Sequence, residues 1–452
     1  MSELKVITRH AGTVLVGQLA VMAFGVADTV ITGRYSDTAL AALSVGSAIY
    51  ISVYVGLMGI VQALLPIWAE MLGAGQHAAI GRSLRQSLYL SGLITLVGIT
   101  ALLFPSTLLR WAQVPDSMLD EVQNYLSVLA VAFAPALLFR LYSTFNQSLG
   151  KPLLVTWLQL GALAVKVPLS IWLVAGGAGV EPMGAVGCAW ATLVVNYLLM
   201  ALSLVMLRTQ LLYQPFRIWQ PMERPDWSAI ANFARLGIPG GLAYMVEITS
   251  FTLMALFIAR LGTVASASHQ IAASMAAVLY MMPLSIAIAC SARTSFWLGA
   301  GEPAQAKRVV MLGFKLAAFI SIGLAALLFI AKNALAAMYS SSPTIIALAS
   351  TLLGWVALYH LADSAQALCA FLLRCYRITV APLLLYGCLL WGLGLYGGYM
   401  LTYVGLAGLA PSATPVSFWT AGTVALAGVA LCFIALLWRA VSNSQIATRT
   451  AP

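Results

Sequence analysis

Three carboxylic acids, Asp28, Glu247 and Asp363, stand inside long apolar stretches of a chain of 452 residues that is 62% hydrophobic and only 8% charged. A charged side chain at the centre of a membrane span costs at least about 2.5–3.5 kcal/mol on insertion scales, so each acid needs a reason to be there. Two chemistries suit it. A carboxyl in such surroundings can hold and release a proton near neutral pH. Alternatively, two carboxylates with a hydroxyl or backbone carbonyls supply hard oxygen ligands for a metal cation. Tyr359 lies one turn before Asp363 on the same helical face, where its hydroxyl can join such a set. If the ion is sodium, Glu247, Asp363 and Tyr359 are the expected ligands.

Two cations also fall inside spans. Arg140 lies in the inner half of its span and can extend toward the nearby aqueous face. Lys166 lies deeper, at a depth comparable with Asp28. A lone buried ammonium is costly, and a carboxylate beside it is the most local remedy. Pro168, two residues on, frees a backbone carbonyl that can accept another ammonium proton. The expectation is a Lys166–Asp28 ion pair, with Ser170 as a hydrogen-bonding neighbour, in place of an ion site in the first half.

The elements that carry these residues are helices. An ordinary soluble domain is about a quarter charged, so the composition and a mean hydropathy of +0.94 exclude a water-soluble enzyme. A bilayer core needs about 20 apolar residues per helix, and twelve candidate spans follow. They run over residues 12–33, 42–68, 87–109, 124–149, 153–175, 184–207, 237–259, 267–292, 309–331, 345–372, 380–404 and 417–438. With the N-terminus inside, only Arg34, Arg110, Arg260 and Lys332 of the loop cations fall outside. The positive-inside rule then puts both termini in the cytoplasm, and the net charge of +10 reflects topology rather than nucleic acid.

The polar stretch Arg208–Ser228 divides the chain near its midpoint, and a shift of 226 residues aligns the two sides without gaps. Leu72-Gly73-Ala74-Gly75 falls on Leu298-Gly299-Ala300-Gly301, Arg9 on Arg235, Arg34 on Arg260 and Arg82 on Arg308. Six spans per side make the repeat parallel. The expected fold is all-α and integral to the membrane, with two pseudo-symmetric six-helix bundles (residues 1–207 and 230–452) joined by a cytoplasmic linker at 208–229. Such a pair suits an alternating-access transporter. On the same shift Asp28 and Glu247 sit on the first helix of each bundle, seven residues apart and on nearly the same face. Tyr54, Met58, Tyr280 and Met282 come from equivalent spans and would suit a cavity for lipophilic cations, through cation–π contacts and adaptable thioethers.

Other patterns carry less. The six cysteines and four histidines show no metal spacing, and no nucleotide-binding Lys motif is present, so neither a cofactor nor an ATPase subunit is expected. Gly392-x-Gly394-x-x-Gly397 lies within an apolar span, where Gly394 and Gly398 read better as close helix packing.

Several stretches together resemble the multidrug and toxic-compound extrusion (MATE) transporters, in their NorM-like bacterial branch. They are GVADTVITGR at Gly25–Arg34, the paired LGAG blocks, NQSLGKP at Asn146–Pro152, MGAVGCAWAT at Met183–Thr192, MVEITSF at Met245–Phe251 and YHLADSAQALCAFLLRCYR at Tyr359–Arg377. The resemblance implies that Asp28, Glu247 and Asp363 are cation-coupling acids, accompanied by Tyr359. It also implies a bacterial inner-membrane protein that exchanges drugs and dyes, as organic cations, for protons or sodium. One motif departs: the family's usual Asn-x-Pro-x-Asn on the fifth span reads Lys166-Val-Pro168-Leu-Ser170 here. Two rival functions are a lipid-linked sugar flippase on a related scaffold and a membrane-embedded transferase. The first favours a basic cleft, and the second needs a polar catalytic loop that the sequence does not display.

Overall fold

Hydrocarbon offers backbone amides no partner, so a chain that spans it must close its hydrogen bonds within helices. A computed structural model of the protein describes residues 2–105, 116–177, 179–405 and 410–449. Among them, twelve helices are long and apolar enough to cross a bilayer. They are α1 (Glu3–Tyr35), α2 (Asp37–Gly73), α3 (His77–Leu103), α4 (Met118–Ser148), α5 (Leu153–Ala175), α6 (Ala185–Thr209), α7 (Trp227–Ala259), α8 (Thr263–Gly299), α9 (Pro303–Tyr339), α10 (Pro343–Cys375), α11 (Val380–Val404) and α12 (Val416–Gln445). The described residues contain no β-strand, only an isolated bridge between Gly177 and Val180. Each expected span maps onto one helix in order. Most helices run past the expected ends, because hydrogen bonding continues beyond the hydrocarbon. The third starts ten residues early at His77, and the end expected for it, 106–109, lies outside the described residues, as does Arg110.

The internal repeat is visible in the backbone. Helix α2 closes with Ala74 N to Glu70 O, Gly75 N to Leu72 O and Gln76 N to Met71 O. Helix α8 closes with Ala300 N to Phe296 O, Gly301 N to Leu298 O and Glu302 N to Trp297 O, the same three bonds 226 residues later. Gly75 and Gly301 have φ of 69° and 74°, the left-handed region that favours glycine, so the repeated LGAG block is a repeated helix stop.

Local breaks have equally local causes. Pro66 has no amide hydrogen, and its ring crowds the carbonyl four residues back, at Gln62. Helix α2 is interrupted there, into Asp37–Gln62 and Leu64–Gly73. Helix α11 is wound more widely than an α-helix over Gly387–Tyr396 and Met400–Val404, with i→i−5 bonds such as Gly405 N to Met400 O at 2.7 Å. A Cβ on Gly394 would meet Ala425 Cβ at 3.2 Å and one on Gly398 would meet Phe418 Cδ1 at 2.6 Å, so both glycines serve the close approach of α11 to α12.

By contact the chain divides into two units: Thr13–Gly241, called the amino-terminal unit below, and Met1–Gly12 with Leu242–Pro452, the carboxy-terminal unit. The division runs through α1 and α7. The start of α1 is held in the carboxy-terminal unit by Arg293 on α8, whose Nε donates to Glu3 Oε2 at 3.0 Å. The linker is held in the amino-terminal unit by buried Arg85 on α3, which donates Nε to Glu223 Oε2 at 2.8 Å and Nη1 to Arg217 O at 2.8 Å. Bulky apolar side chains remain uncovered, Phe319 and Ile330 being 80% and 81% exposed, as surfaces facing lipid are.

Candidate ion-coupling site

In the carboxy-terminal unit, one amide joins two of the three acids. Gln366 on α10 donates from Nε2 to Asp363 Oδ1 at 2.9 Å and to Glu247 Oε1, on α7, at 3.2 Å. Its Oε1 accepts from the hydroxyl of Tyr386 on α11. The Tyr386 hydroxyl thereby fixes which end of the amide faces the acids. Spacing of three residues places Gln366 beside Asp363 on the helix surface. Because both oxygens contact a single nitrogen, they lie no more than about 6 Å apart. Two carboxylates that close cannot both carry charge cheaply, so the arrangement favours one shared positive charge, a proton or a metal cation. Asp363 and Gln366 are buried and Glu247 is half-buried, so access is through Glu247.

Tyr359 stands one turn before Asp363 and lines the same pocket as Glu247. Its ring packs edge-to-face on Phe251, at 5.8 Å between centroids, and on Trp419, at 5.7 Å. Among the described residues, no group of three or more His, Cys, Asp or Glu side chains is assembled for a metal ion. Sequence reasoning passed over Gln366 and Tyr386. Gln366 carried a signal, since it lies three residues from a span acid and falls on Arg140 under the 226-residue shift. Tyr386 carried none, because its role depends on how α11 packs.

The third acid lies in the amino-terminal unit and has different company. Lys166 Nζ is 2.9 Å from Asp28 Oδ2 and donates to Thr192 Oγ1 at 2.8 Å. Ser170 Oγ donates to Asp28 Oδ1 at 3.2 Å. Pro168 lies inside α5 between these two residues. The second proton acceptor of the ammonium is thus a threonine hydroxyl on α6 rather than a carbonyl freed by Pro168. Nearby, Thr32 Oγ1 and Cys188 Sγ are 3.3 Å apart. Arg140 is half-buried and donates to Gln62, whose Nε2 bonds Gln147 Oε1 at 3.4 Å. Gln62 is a buried amide at the α2 break.

The four candidate cavity residues divide between the units. Tyr54 stacks on Tyr50 at 5.7 Å and meets Phe133 edge-on, with Met58 one turn further along α2. Tyr280 lies within electrostatic reach of Glu247, Asp363 and Tyr386, and Met282 follows it on α8. All four are half-buried.

A MatE family model matches residues 14–172 and 239–400, once in each part of the chain. The chain belongs to the MatE family of transporters. Within it, the chain is 38% identical to a probable multidrug resistance protein NorM of Aromatoleum aromaticum, over 92% of this chain and 90% of that one. It is 31% identical to the multidrug resistance protein PmpM of Pseudomonas aeruginosa, over 95% and 90%. Among solved structures, its fold matches the eukaryotic MATE transporter AtDTX14 with a TM-score of 0.86 at 18% identity, covering 99% of both chains. It also matches the Vibrio cholerae MATE transporter VcmN in its bent form, with a TM-score of 0.83 at 15% identity and 98% of both chains. This MatE protein is therefore a NorM-like, multi-pass membrane transporter of the multidrug efflux class.

Proposed function

We propose that this protein exports organic cations, drugs and dyes among them, in exchange for protons or sodium. The observation that carries this reading is the pairing of Glu247 and Asp363 on the Gln366 amide, inside a membrane-spanning unit of a MatE chain. An acid pair tied to one amide has no structural economy in hydrocarbon, but it can take up and release a single positive charge. That is what coupling to an ion gradient requires, and one charge moving through 100 mV releases about 2.3 kcal/mol. Tyr359 supplies a phenolic oxygen at the same pocket. In the amino-terminal unit the ammonium of Lys166 already satisfies Asp28, so this reading assigns coupling to the carboxy-terminal unit. The two six-helix repeats are taken to rock in alternating access, with the linker and both termini in the cytoplasm and the protein in the bacterial inner membrane. The cation bias of the loops supports that orientation.

Uptake of ethidium into everted vesicles under an imposed proton or sodium gradient tests the proposal. Accumulation should follow one of the two gradients and collapse with it. Uptake that persists after both gradients are dissipated, or transfer of lipid-linked sugars without ethidium movement, would refute it.

A further inference from the structure

The linker of the amino-terminal unit has one face that packing uses and one that it does not. Inward, the Tyr213 hydroxyl donates to Asn146 Oδ1 at 2.7 Å, and buried Phe216 meets Phe145 edge-on at 5.6 Å between centroids. Outward, Leu211 and Trp227 are 75% and 74% exposed, and Trp219 is exposed with them. Arg208, Arg217 and Arg224 are exposed along the same stretch. Its two acids are already committed. Glu223 is paired with Arg85, and Asp226 Oδ1 accepts from the amides of Ser228 and Ala229, each at 3.1 Å, at the start of α7. The surface left over is cationic and aromatic.

Hydrogen bonds fix its depth. The indole Nε1 of Trp219 donates to the carbonyl of Leu207, the last residue expected in the sixth span, at 3.1 Å. Gln86, one residue before the third expected span, donates to Arg224 O at 3.0 Å and accepts from Asp226 N at 2.8 Å. Tyr89, just inside that span, donates to Glu223 O at 2.8 Å. The linker is therefore held at the level where hydrocarbon gives way to head groups, the zone that indole rings favour. What meets its outer face there is lipid.

Arg208, in the last turn of α6, lies over the Trp219 ring, 5.6 Å from its centroid. The bond to Leu207 fixes the ring, so the guanidinium rests on a prepared face. A planar guanidinium stacked in this way keeps an N–H edge free, and that edge matches a phosphate through two parallel hydrogen bonds. We infer that this surface binds an anionic phospholipid of the adjacent leaflet, its phosphate on Arg208 and its glycerol against Trp219, with Arg217 and Arg224 adding charge. A zwitterionic lipid offers the same phosphate beside an ammonium of its own, so the arginines select by net charge. Because Arg85, Gln86, Tyr89 and Asn146 hold the linker, the amino-terminal unit holds the lipid. The inference concerns neither the cargo nor the coupling ion and stands apart from the proposed function.

Photocrosslinking in nanodiscs tests it. The purified full-length protein is placed in phosphatidylcholine discs with a trace of phosphatidylglycerol or of phosphatidylcholine, either one carrying a diazirine in its head group. Adducts are mapped by mass spectrometry. Yield over residues 208–227 should be at least about threefold higher from the phosphatidylglycerol probe. At the turn 299–302, two spans on and so on the same membrane face but without an arginine, the two yields should be about equal. Replacing Arg208, Arg217 and Arg224 together by Gln should remove the enrichment, and Arg208→Gln alone about half of it. These side chains are exposed, so the variants should fold, and retention of the parent unfolding midpoint checks that. Equal yields from the two probes over 208–227, or enrichment that survives the triple variant, would overturn the site. Enrichment erased by inorganic phosphate would assign it to a free anion, which also overturns the lipid reading. So would arginine-dependent binding of polyglutamate without any lipid enrichment, the signature of an acidic protein partner.

Discussion

Lys166 Nζ sits 2.9 Å from Asp28 Oδ2, with the lysine side chain 2% exposed and the aspartate side chain 11% exposed. The ammonium has two further partners of different kinds: the Thr192 hydroxyl accepts from it, and the Phe24 ring lies 6.0 Å away. The carboxylate in turn accepts from Ser170. Charge and hydrogen-bonding capacity are matched within one buried cluster, which is the condition for an ion pair to survive away from water.

Removing one partner should therefore cost more than removing both. Lys166→Met leaves a buried carboxylate and Asp28→Asn leaves a buried ammonium, each expected to lower stability by about 3–5 kcal/mol. The double variant should recover most of that loss. Thermal unfolding of the four proteins in one detergent gives the coupling directly, and additive losses would show that the two residues do not interact.

The Gln366 amide makes a second, independent expectation. Gln366→Leu keeps the helix and removes the donor shared by Glu247 and Asp363, so gradient-driven efflux should fall at least about tenfold without loss of membrane insertion. Tyr386→Phe removes one neutral hydrogen bond to that amide, worth about 1 kcal/mol, and should cost roughly fivefold. Efflux unaffected by Gln366→Leu would mean that the amide plays no part in positioning the acids.

How much of this was legible beforehand follows from the kind of signal each residue gave. Asp28, Glu247, Asp363 and Lys166 stood out because charge in an apolar run is costly and therefore conspicuous. The helices were legible because hydrocarbon thickness sets their length, and the LGAG blocks because a helix stop with positive φ favours glycine. Gln366 and Tyr386 were hidden, since an uncharged amide and a phenol are ordinary in a span and gain meaning only from packing. The route of α1 and α7 through both units was also invisible, because it depends on contacts such as Arg293 with Glu3, 290 residues apart.

The two helix stops should respond alike to substitution. A Cβ at Gly75 or at Gly301 meets nothing within 4 Å, so Gly→Ala at either position strains only the backbone. Each should cost about 1 kcal/mol, and the two values should agree within a few tenths. A large disagreement in unfolding midpoints would show that the repeated turns carry different loads.

The linker attachment should be resistant to acid. Its hydrogen bond from Arg85 holds the Glu223 carboxyl down at about 2, against an ordinary value of 4.5. A depressed acid contributes stability that is complete above its unfolded value and is lost as pH falls through the folded one. Protection of the amides across residues 213–226, taken relative to their intrinsic exchange rates, should thus hold from neutral pH to about 4.5 and fall progressively from there toward pH 2. In Glu223→Gln it should be lower at neutral pH already. Equal protection in the two proteins at pH 7 would remove Glu223 from the attachment.

Coupling itself is tested most directly by gradient-driven efflux from proteoliposomes holding Glu247→Gln, Asp363→Asn or Asp28→Asn, each compared at equal inserted protein. With the acid pair of the carboxy-terminal unit as the ion site, Glu247→Gln and Asp363→Asn should each abolish gradient-driven transport. Asp28→Asn, whose acid is already matched by Lys166, should retain a larger share. Full coupled transport in both Glu247→Gln and Asp363→Asn would contradict the account, as would its loss in Asp28→Asn alone with Glu247→Gln tolerated.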